Sequence, residues 1–256
     1  MILGVAGWRG IGASTTALLG ASALALAGDR TTALVEADPA GGVLAARLGL
    51  RAEHAGGLER LSVAAGRRSS EPSDLTAHGV VHGGVHVVTA PGDPFRAWSC
   101  LAGRSTWVDR LHELADDVVV DLGRLRGGHP LGAILERLDA VLLVAAPDAV
   151  SLAATAMWAE QAGRTSPGDR ALPVDVVRIV VVEPPGWPTT TRADAASELG
   201  DRLAGRLPWD PEVVEHVARG GRLDDRRTRR RSLAVAARRL AETASCWVRW
   251  DEGSAA

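Results

Sequence analysis

The sequence of 256 residues predicts an α/β fold, a doubly wound and mostly parallel sheet flanked by helices. Three observations carry this. Apolar runs of strand length alternate with helical patterns along the chain. The runs at 140–145 and 176–182 are nearly continuous in Val, Leu, Ile and Ala, as in strands buried on both faces by helices. A glycine-rich loop joins the first run to the first helical stretch.

Strands are expected at 2–6, 32–36, 85–89, 117–120, 140–145 and 176–182, with a weak last one at 202–207. Helices fit between them at 15–27, 41–48, 98–114, 131–138, 149–162 and 193–199. Two more, at 211–218 and 231–247, close the pattern. In the last, Leu233, Ala236, Ala237, Leu240, Ala244 and Trp247 fall on one helical face. The polar segment 67–77, with its Ser and Pro, reads as a surface loop inside one domain of residues 1–250. Residues 251–256 read as a disordered tail.

Composition narrows the function classes. At 46% apolar residues the chain can bury a full core. A net charge of −2 gives no global electrostatic case for nucleic acid. The two cysteines, Cys100 and Cys246, lack metal spacing and form no disulfide framework, which fits a reduced, cytoplasmic protein. No run of about 18 apolar residues is present to span a bilayer. The apolar stretch 18–27 is not a signal peptide, because a glycine-rich loop precedes it and strand-like sequence follows. Lysine, asparagine and tyrosine are absent from the chain.

The loop 7–15 reads Gly-Trp-Arg-Gly-Ile-Gly-Ala-Ser-Thr. Gly7, Gly12 and Ser14 meet the G-x-x-x-x-G-K-[S/T] spacing of a phosphate-binding loop, but Ala13 stands where the lysine belongs. Backbone N–H groups and the following helix N-terminus make a positive concavity that needs no side chain. Gly10, Gly12 and Ala13 can therefore still cradle phosphate. Ser14 can ligate Mg²⁺, and Thr15 can hydrogen-bond a phosphate. The lost lysine contact is worth about 1.5–3 kcal/mol, roughly ten- to a hundredfold in affinity. Its absence also removes charge stabilisation from a phosphoryl-transfer transition state. Arg9 can lend a cation. The alternative is a glycine-rich turn that holds no ligand.

Read against a known family, the loop resembles the deviant Walker A motif of the MinD/ParA ATPases, K-G-G-x-G-K-[S/T]-T. Trp8 falls on that family's signature lysine, Arg9 on a glycine and Ala13 on the P-loop lysine, while Ser14 and Thr15 match. The ending Gly12-Ala13-Ser14-Thr15 is similar to the CpaE/TadZ branch, which acts at the pole or septum and in placing pilus secretion machinery. The segment 34–42, Leu-Val-Glu-Ala-Asp-Pro-Ala-Gly-Gly, resembles the family's D-x-D-P-x-G-G. The resemblance implies that Asp38 positions the attacking water, with Glu36 replacing the first carboxylate; Asp38 reads equally as a helix N-cap ahead of Pro39. Asp121, ending an apolar strand before Gly123, resembles the Walker B carboxylate that holds a Mg²⁺-bound water. The strand at 140–145 with Pro147, Asp148 and Ser151 matches family order, Asp148 reading as a helix cap. Pro208 and Trp209 resemble the base-side L-P segment, where Trp209 can stack on a base. The adenine-reading Asn has no counterpart, because the strand at 176–182 runs instead into Glu183-Pro184-Pro185-Gly186-Trp187. The resemblance covers roughly residues 1 to 245.

What it implies is a MinD/ParA-like, CpaE/TadZ-related positioning or scaffold protein, a pseudo-ATPase or very weak ATPase. Its cofactors would be ATP and Mg²⁺, or none. A homodimer and a protein partner in a secretion, pilus or division complex are expected, with recruitment to pole, septum or membrane surface. Two rival readings are a working ATPase of partitioning or septum placement, with Arg9 supplying charge, and an anion- or DNA-binding module on a relic loop. Arg226, Arg227, Arg229, Arg230 and Arg231 could touch lipid or DNA, but a solvated cluster before a packed helix is the expected reading. Trp98, Trp107 and Trp158 are expected in the core. His78, His82 and His86 lack a partnered motif.

Overall fold

A computed structural model describes residues 1–27, 29–65, 77–102, 106–125, 130–162, 177–186 and 192–249. Residues 67–76 of the expected surface loop 67–77, Trp187 and the tail 251–256 lie outside these residues. Among the described residues, eight strands form a single sheet: β1 (Ile2–Gly7), β2 (Thr32–Glu36), β3 (Val80–His82), β4 (Val85–Val88), β5 (Asp117–Arg124), β6 (Ala140–Ala145), β7 (Val177–Glu183) and β8 (Leu203–Pro208). Their order is β3-β4-β2-β5-β1-β6-β7-β8, and every neighbouring pair is parallel except β3 with β4.

Helices cover both faces. In chain order they are α1 (Ala13–Leu24), α2 (Leu44–Arg47), α3 (Gly57–Ala65), α4 (Pro94–Leu101), α5 (Thr106–Asp109), α6 (Gly132–Leu135), α7 (Ala149–Ala162), α8 (Arg192–Leu199), α9 (Pro211–Ala218) and α10 (Ser232–Arg249). Strand residues alternate between two cores, as the two-residue strand period requires. Leu3 and Val5 of β1, Leu34 of β2 and Val119 of β5 pack with α1, α9 and α10. Ala6, Val35, Val118, Val120 and Leu122 pack with α3, α4, α5, α6, α7 and α8 on the other face.

Local corrections have physical causes. The helix expected at 41–48 shrinks to the single turn of α2, because Gly41 adopts φ 102 and the chain ahead of Val43 is pinned to a buried carboxylate. The helix expected at 98–114 is broken. α4 starts earlier, at Pro94, with the Asp93 side chain accepting from the Arg96 N–H; α5 is short, and a 3₁₀ turn covers Leu111–Glu113. Helix α3 and the three-residue strand β3 lie outside the elements expected from sequence. Helix α1 starts two residues earlier than expected, with Gly12 (φ 103) as its N-cap. Trp107 is buried at 1% exposure and its indole N–H donates to the Cys100 carbonyl at 3.0 Å. Trp158 packs partly buried against the same core, but Trp98 is 40% exposed, on the outer side of α4. Cys100 is buried and Cys246 exposed, and neither is in a disulfide. Among the described residues, no helix is long and apolar enough to cross a membrane.

Candidate functional site

Strand order places the site. β1 lies between β5 and β6, and the chain leaves β1 for β2 on one side of the sheet and reaches β6 on the other. The carboxyl ends of β1, β2 and β5 therefore face a crevice at a topological switch point, the usual ligand position in open parallel sheets. The loop 8–12 closes over this crevice and delivers the chain into α1. Gly12 lets it turn in the left-handed region, and no side chain caps α1. The N-terminus of α1 is thus left to anions by its own helix.

A cavity of ≈ 180 Å³ sits here, lined by Arg9, Gly10, Gly12, Ala13, Ser14, Thr15, Asp38, Arg47, Gly123 and Arg124. The structure brings together nearly all of the phosphate-loop residues singled out from sequence, with Asp38 beside them. Ala13 is 7% exposed and also belongs to the core on the α1 face, so the lysine position is occupied by a small methyl group. Trp8 turns elsewhere: it is 46% exposed and lines a narrow crevice with Leu125, Leu143, Thr155 and Trp158.

Three carboxylates stand behind the loop. Asp121 is fully buried; its Oδ1 accepts from the Gly123 N–H at 3.0 Å, while Oδ2 has no hydrogen-bond partner. Burial pushes its pKa up to about 6, against hydrogen bonds from the Ser14 side chain and the Gly123 backbone, and the Asp38 charge adds to the rise. Glu36 is also fully buried. Its Oε1 accepts from the N–H groups of Val43 (2.6 Å) and Leu44 (2.8 Å), and its Oε2 from Ala90 (2.9 Å). Burial dominates here too, and raises Glu36 to about 7 despite those three donors. Glu36 therefore works as a clasp: it ties the start of α2 to the end of β4.

Asp38 does not cap a helix, since α2 begins only at Leu44. Its Oδ1 accepts from the Ala40 N–H at 2.8 Å in a local turn. Its carboxylate lies against Gly123 (φ 61), where an added Cβ would overlap it. Asp148 does act at the start of α7, its Oδ1 accepting from the Ser151 N–H at 2.9 Å.

Sequence reasoning missed Arg47 and Arg124. Arg47 donates from Nη1 to the Thr15 hydroxyl at 2.8 Å. Arg124 ends β5 with its guanidinium about 4.0 Å from where a side chain on Gly10 would begin. Neither carries a motif; only the register of β5 and the placing of α2 bring them to the loop.

A second, mostly apolar cavity of ≈ 510 Å³ adjoins the first and shares Gly10, Gly12, Thr15 and Arg47 with it. Its far wall includes Val182, Pro184, Leu207, Pro208 and Trp209, the last 54% exposed. A polar pocket opening onto an apolar one suits a phosphorylated ligand with a flat hydrophobic body. The residues present also fit a hydrated divalent cation: the Ser14 hydroxyl and the unpartnered Oδ2 of Asp121 offer hard oxygens beside the phosphate cradle. Among the described residues no group of three or more His, Cys, Asp and Glu forms a metal cage, so such a cation would depend on phosphate oxygens and water.

The other singled-out residues lie away from the crevice. Arg231 pairs with Asp210 (2.6 Å) and Glu212 (2.8 Å), while Arg226, Arg227, Arg229 and Arg230 are exposed and Thr228 is buried among them. His82 Nε2 lies 3.0 Å from the Ala218 carbonyl and joins β3 to α9.

The fold is similar to that of solved ParA and MinD ATPases. A ParA family ATPase from Chlorobium tepidum superposes with a TM-score of 0.75 at 19% identity, over 94% of this chain and 98% of that one. The cell division ATPase MinD of Pyrococcus furiosus gives 0.72 at 18%, over 96% and 98%. The septum site-determining protein MinD of Pyrococcus horikoshii, complexed with Mg-ADP, gives 0.70 at 18%, over 94% of each chain. At such identities the likeness shows the fold. No family model and no curated protein sequence matches the chain.

Proposed function

We propose that this chain is a MinD/ParA-like, CpaE/TadZ-related positioning or scaffold protein. It binds Mg-nucleotide weakly, hydrolyses it poorly, and recruits a protein partner of a secretion, pilus or septal complex. The observation that carries this is Ala13: Gly10, Gly12, Ser14 and Thr15 line the polar cavity, Asp121 is buried, and a methyl group stands where the loop's lysine would be. Binding needs the cradle; fast phosphoryl transfer needs charge aimed at the transition state. Relatives in fold fit the nucleotide and partner parts of the reading. One MinD structure holds Mg-ADP, and another, from Aquifex aeolicus, is a MinC:MinD complex.

In this reading Gly10, Gly12 and Ala13 offer backbone N–H groups to phosphate, Thr15 offers its hydroxyl, and Ser14 with Asp121 holds Mg²⁺. Pro208 and Trp209 hold the base, and Asp38 orients water. Bound Mg²⁺ would neutralise phosphate charge. The chain acts as a homodimer whose association does not depend on nucleotide, because neither lysine of the family's nucleotide sandwich is present.

Calorimetric titration with Mg-ATP and Mg-ADP, beside a hydrolysis assay and light scattering, tests this. Weak binding, background turnover and a dimer without nucleotide are expected. Turnover well above background that falls in Asp38→Ala would make it a working ATPase. No binding up to millimolar nucleotide would leave a scaffold on a retired loop. Salt-sensitive DNA binding lost on replacing Arg229, Arg230 and Arg231 would favour the DNA-binding reading.

A further inference from the structure

A cation stands at the phosphate cavity on an element outside the loop. Arg47 is the last residue of α2 and lines the same polar cavity as Ala13. It lines both cavities, at the point where the polar one opens onto the apolar one. Its guanidinium is hydrogen-bonded to Thr15, the loop residue offered to phosphate, and its charge acts on buried Asp121. Arg9 and Arg124 also line the polar cavity; among the described residues, it is Arg47 that donates a hydrogen bond to a loop side chain.

The placing of Arg47 follows from a second departure from the family pattern. α2 is one turn long and cannot hold itself. Glu36 reaches the N–H groups of Val43 and Leu44 with one oxygen and Ala90 with the other, fastening this turn to the sheet. Gly42 passes so close that an added Cβ would lie 2.6 Å from Oε2. α2 then carries Arg47 to Thr15.

The geometry points to Arg47 as the phosphate-binding cation of this site, acting from α2 in place of the lysine missing at position 13. It rests on the nucleotide-binding reading above. A guanidinium suits the task, since its planar fork can hold two phosphate oxygens at once. It binds di- and triphosphates from the side of the crevice, where Thr15 keeps it oriented until ligand arrives.

Binding is measured by calorimetry, without turnover, for Mg-ATP and for adenosine, in parent, Arg47→Ala, Arg9→Ala, Arg124→Ala and the double variant Ala13→Lys/Arg47→Ala. Thermal melts verify folding, and Arg47→Lys serves as a second probe that keeps the charge. Expected is a loss of about ten- to a hundredfold for Mg-ATP in Arg47→Ala, with adenosine unchanged. The double variant recovers at least part of that loss, Arg47→Lys stays closer to the parent, and the dependence of Mg-ATP binding on salt flattens in Arg47→Ala. Parent-like binding by Arg47→Ala overturns the inference and leaves the nucleotide reading intact, as does a larger loss in Arg9→Ala or Arg124→Ala. If the parent itself does not bind, the nucleotide reading fails first and the role of Arg47 with it.

Discussion

Glu36 and Asp121 are register partners on the adjacent parallel strands β2 and β5, and both are fully buried. Their side chains share one face of the sheet, and the Asp121 charge adds to the burial that makes Glu36 hard to ionise. Sheet register, not sequence proximity, built this pair. Glu36 spends its oxygens on α2 and β4; Asp121 keeps one free behind the phosphate loop.

Stability should fall as pH rises through this pair. Both carboxyls titrate higher in the fold, at about 7 and about 6, than in an unfolded chain. The folded state therefore holds protons that the unfolded state has released, and that advantage is complete below pH ~4 and lost above pH ~7. Each group contributes up to about 1.4 kcal/mol per pH unit inside that window. Denaturant titrations at pH 5 and 8 without nucleotide or Mg²⁺ should show the loss, with a shallower slope in Asp121→Asn. An identical slope in parent and variant would refute it.

Gly123→Ala should cost at least ~1 kcal/mol, because φ 61 disfavours a side chain and the new methyl overlaps Asp38. Removing the carboxylate in Asp38→Ala/Gly123→Ala leaves the residue-38 Cβ 2.7 Å away but should still return part of that cost, a coupling of at least ~0.5 kcal/mol in a double-mutant cycle. Strict additivity would mean that the two residues do not press on each other.

Trp209→Ala should weaken adenine nucleotide binding about tenfold, by loss of one stacking face. Tripolyphosphate, which lacks a base, should bind parent and variant alike. Equal losses for both ligands would move Trp209 from the base to the phosphate end of the site.

Trp107→Ala should destabilise the fold by about 3–5 kcal/mol, through the cavity it leaves and the Cys100 carbonyl it strands. Chemical denaturation reads this directly. A loss below ~1 kcal/mol would mean that α4 and α5 collapse into the gap.

The sheet was legible because buried parallel strands are written as Val- and Leu-rich runs, and the phosphate loop because glycine spacing is local. Arg47 was not. The sequence around it reads as an unremarkable Leu-Ala-Ala-Arg turn, and its role depends on where Glu36 pins α2. Asp38 reads from sequence equally as a site carboxylate or as a cap, since Pro39 after an acidic residue looks like a helix start; the cap falls because α2 begins only at Leu44. Trp98 was misassigned because a tryptophan in an apolar window does not reveal which side of a short helix it occupies. Trp8 was legible as the residue on a lysine position, yet its crevice with Leu143 and Trp158 comes from a strand and a helix distant in sequence.

Strands β1 and β2 never touch, because β5 lies between them. A ribosome that has released the first hundred residues has therefore made the phosphate loop and both flanking strands without the piece that joins them. Residues 117–124 must slide into that gap before Asp121 can reach Ser14 or Glu36 can meet its neighbour. Such long-range closure is slow and leaves two sheet edges open meanwhile. During synthesis, the interval before β5 emerges is the time when this chain most needs protection from pairing with another.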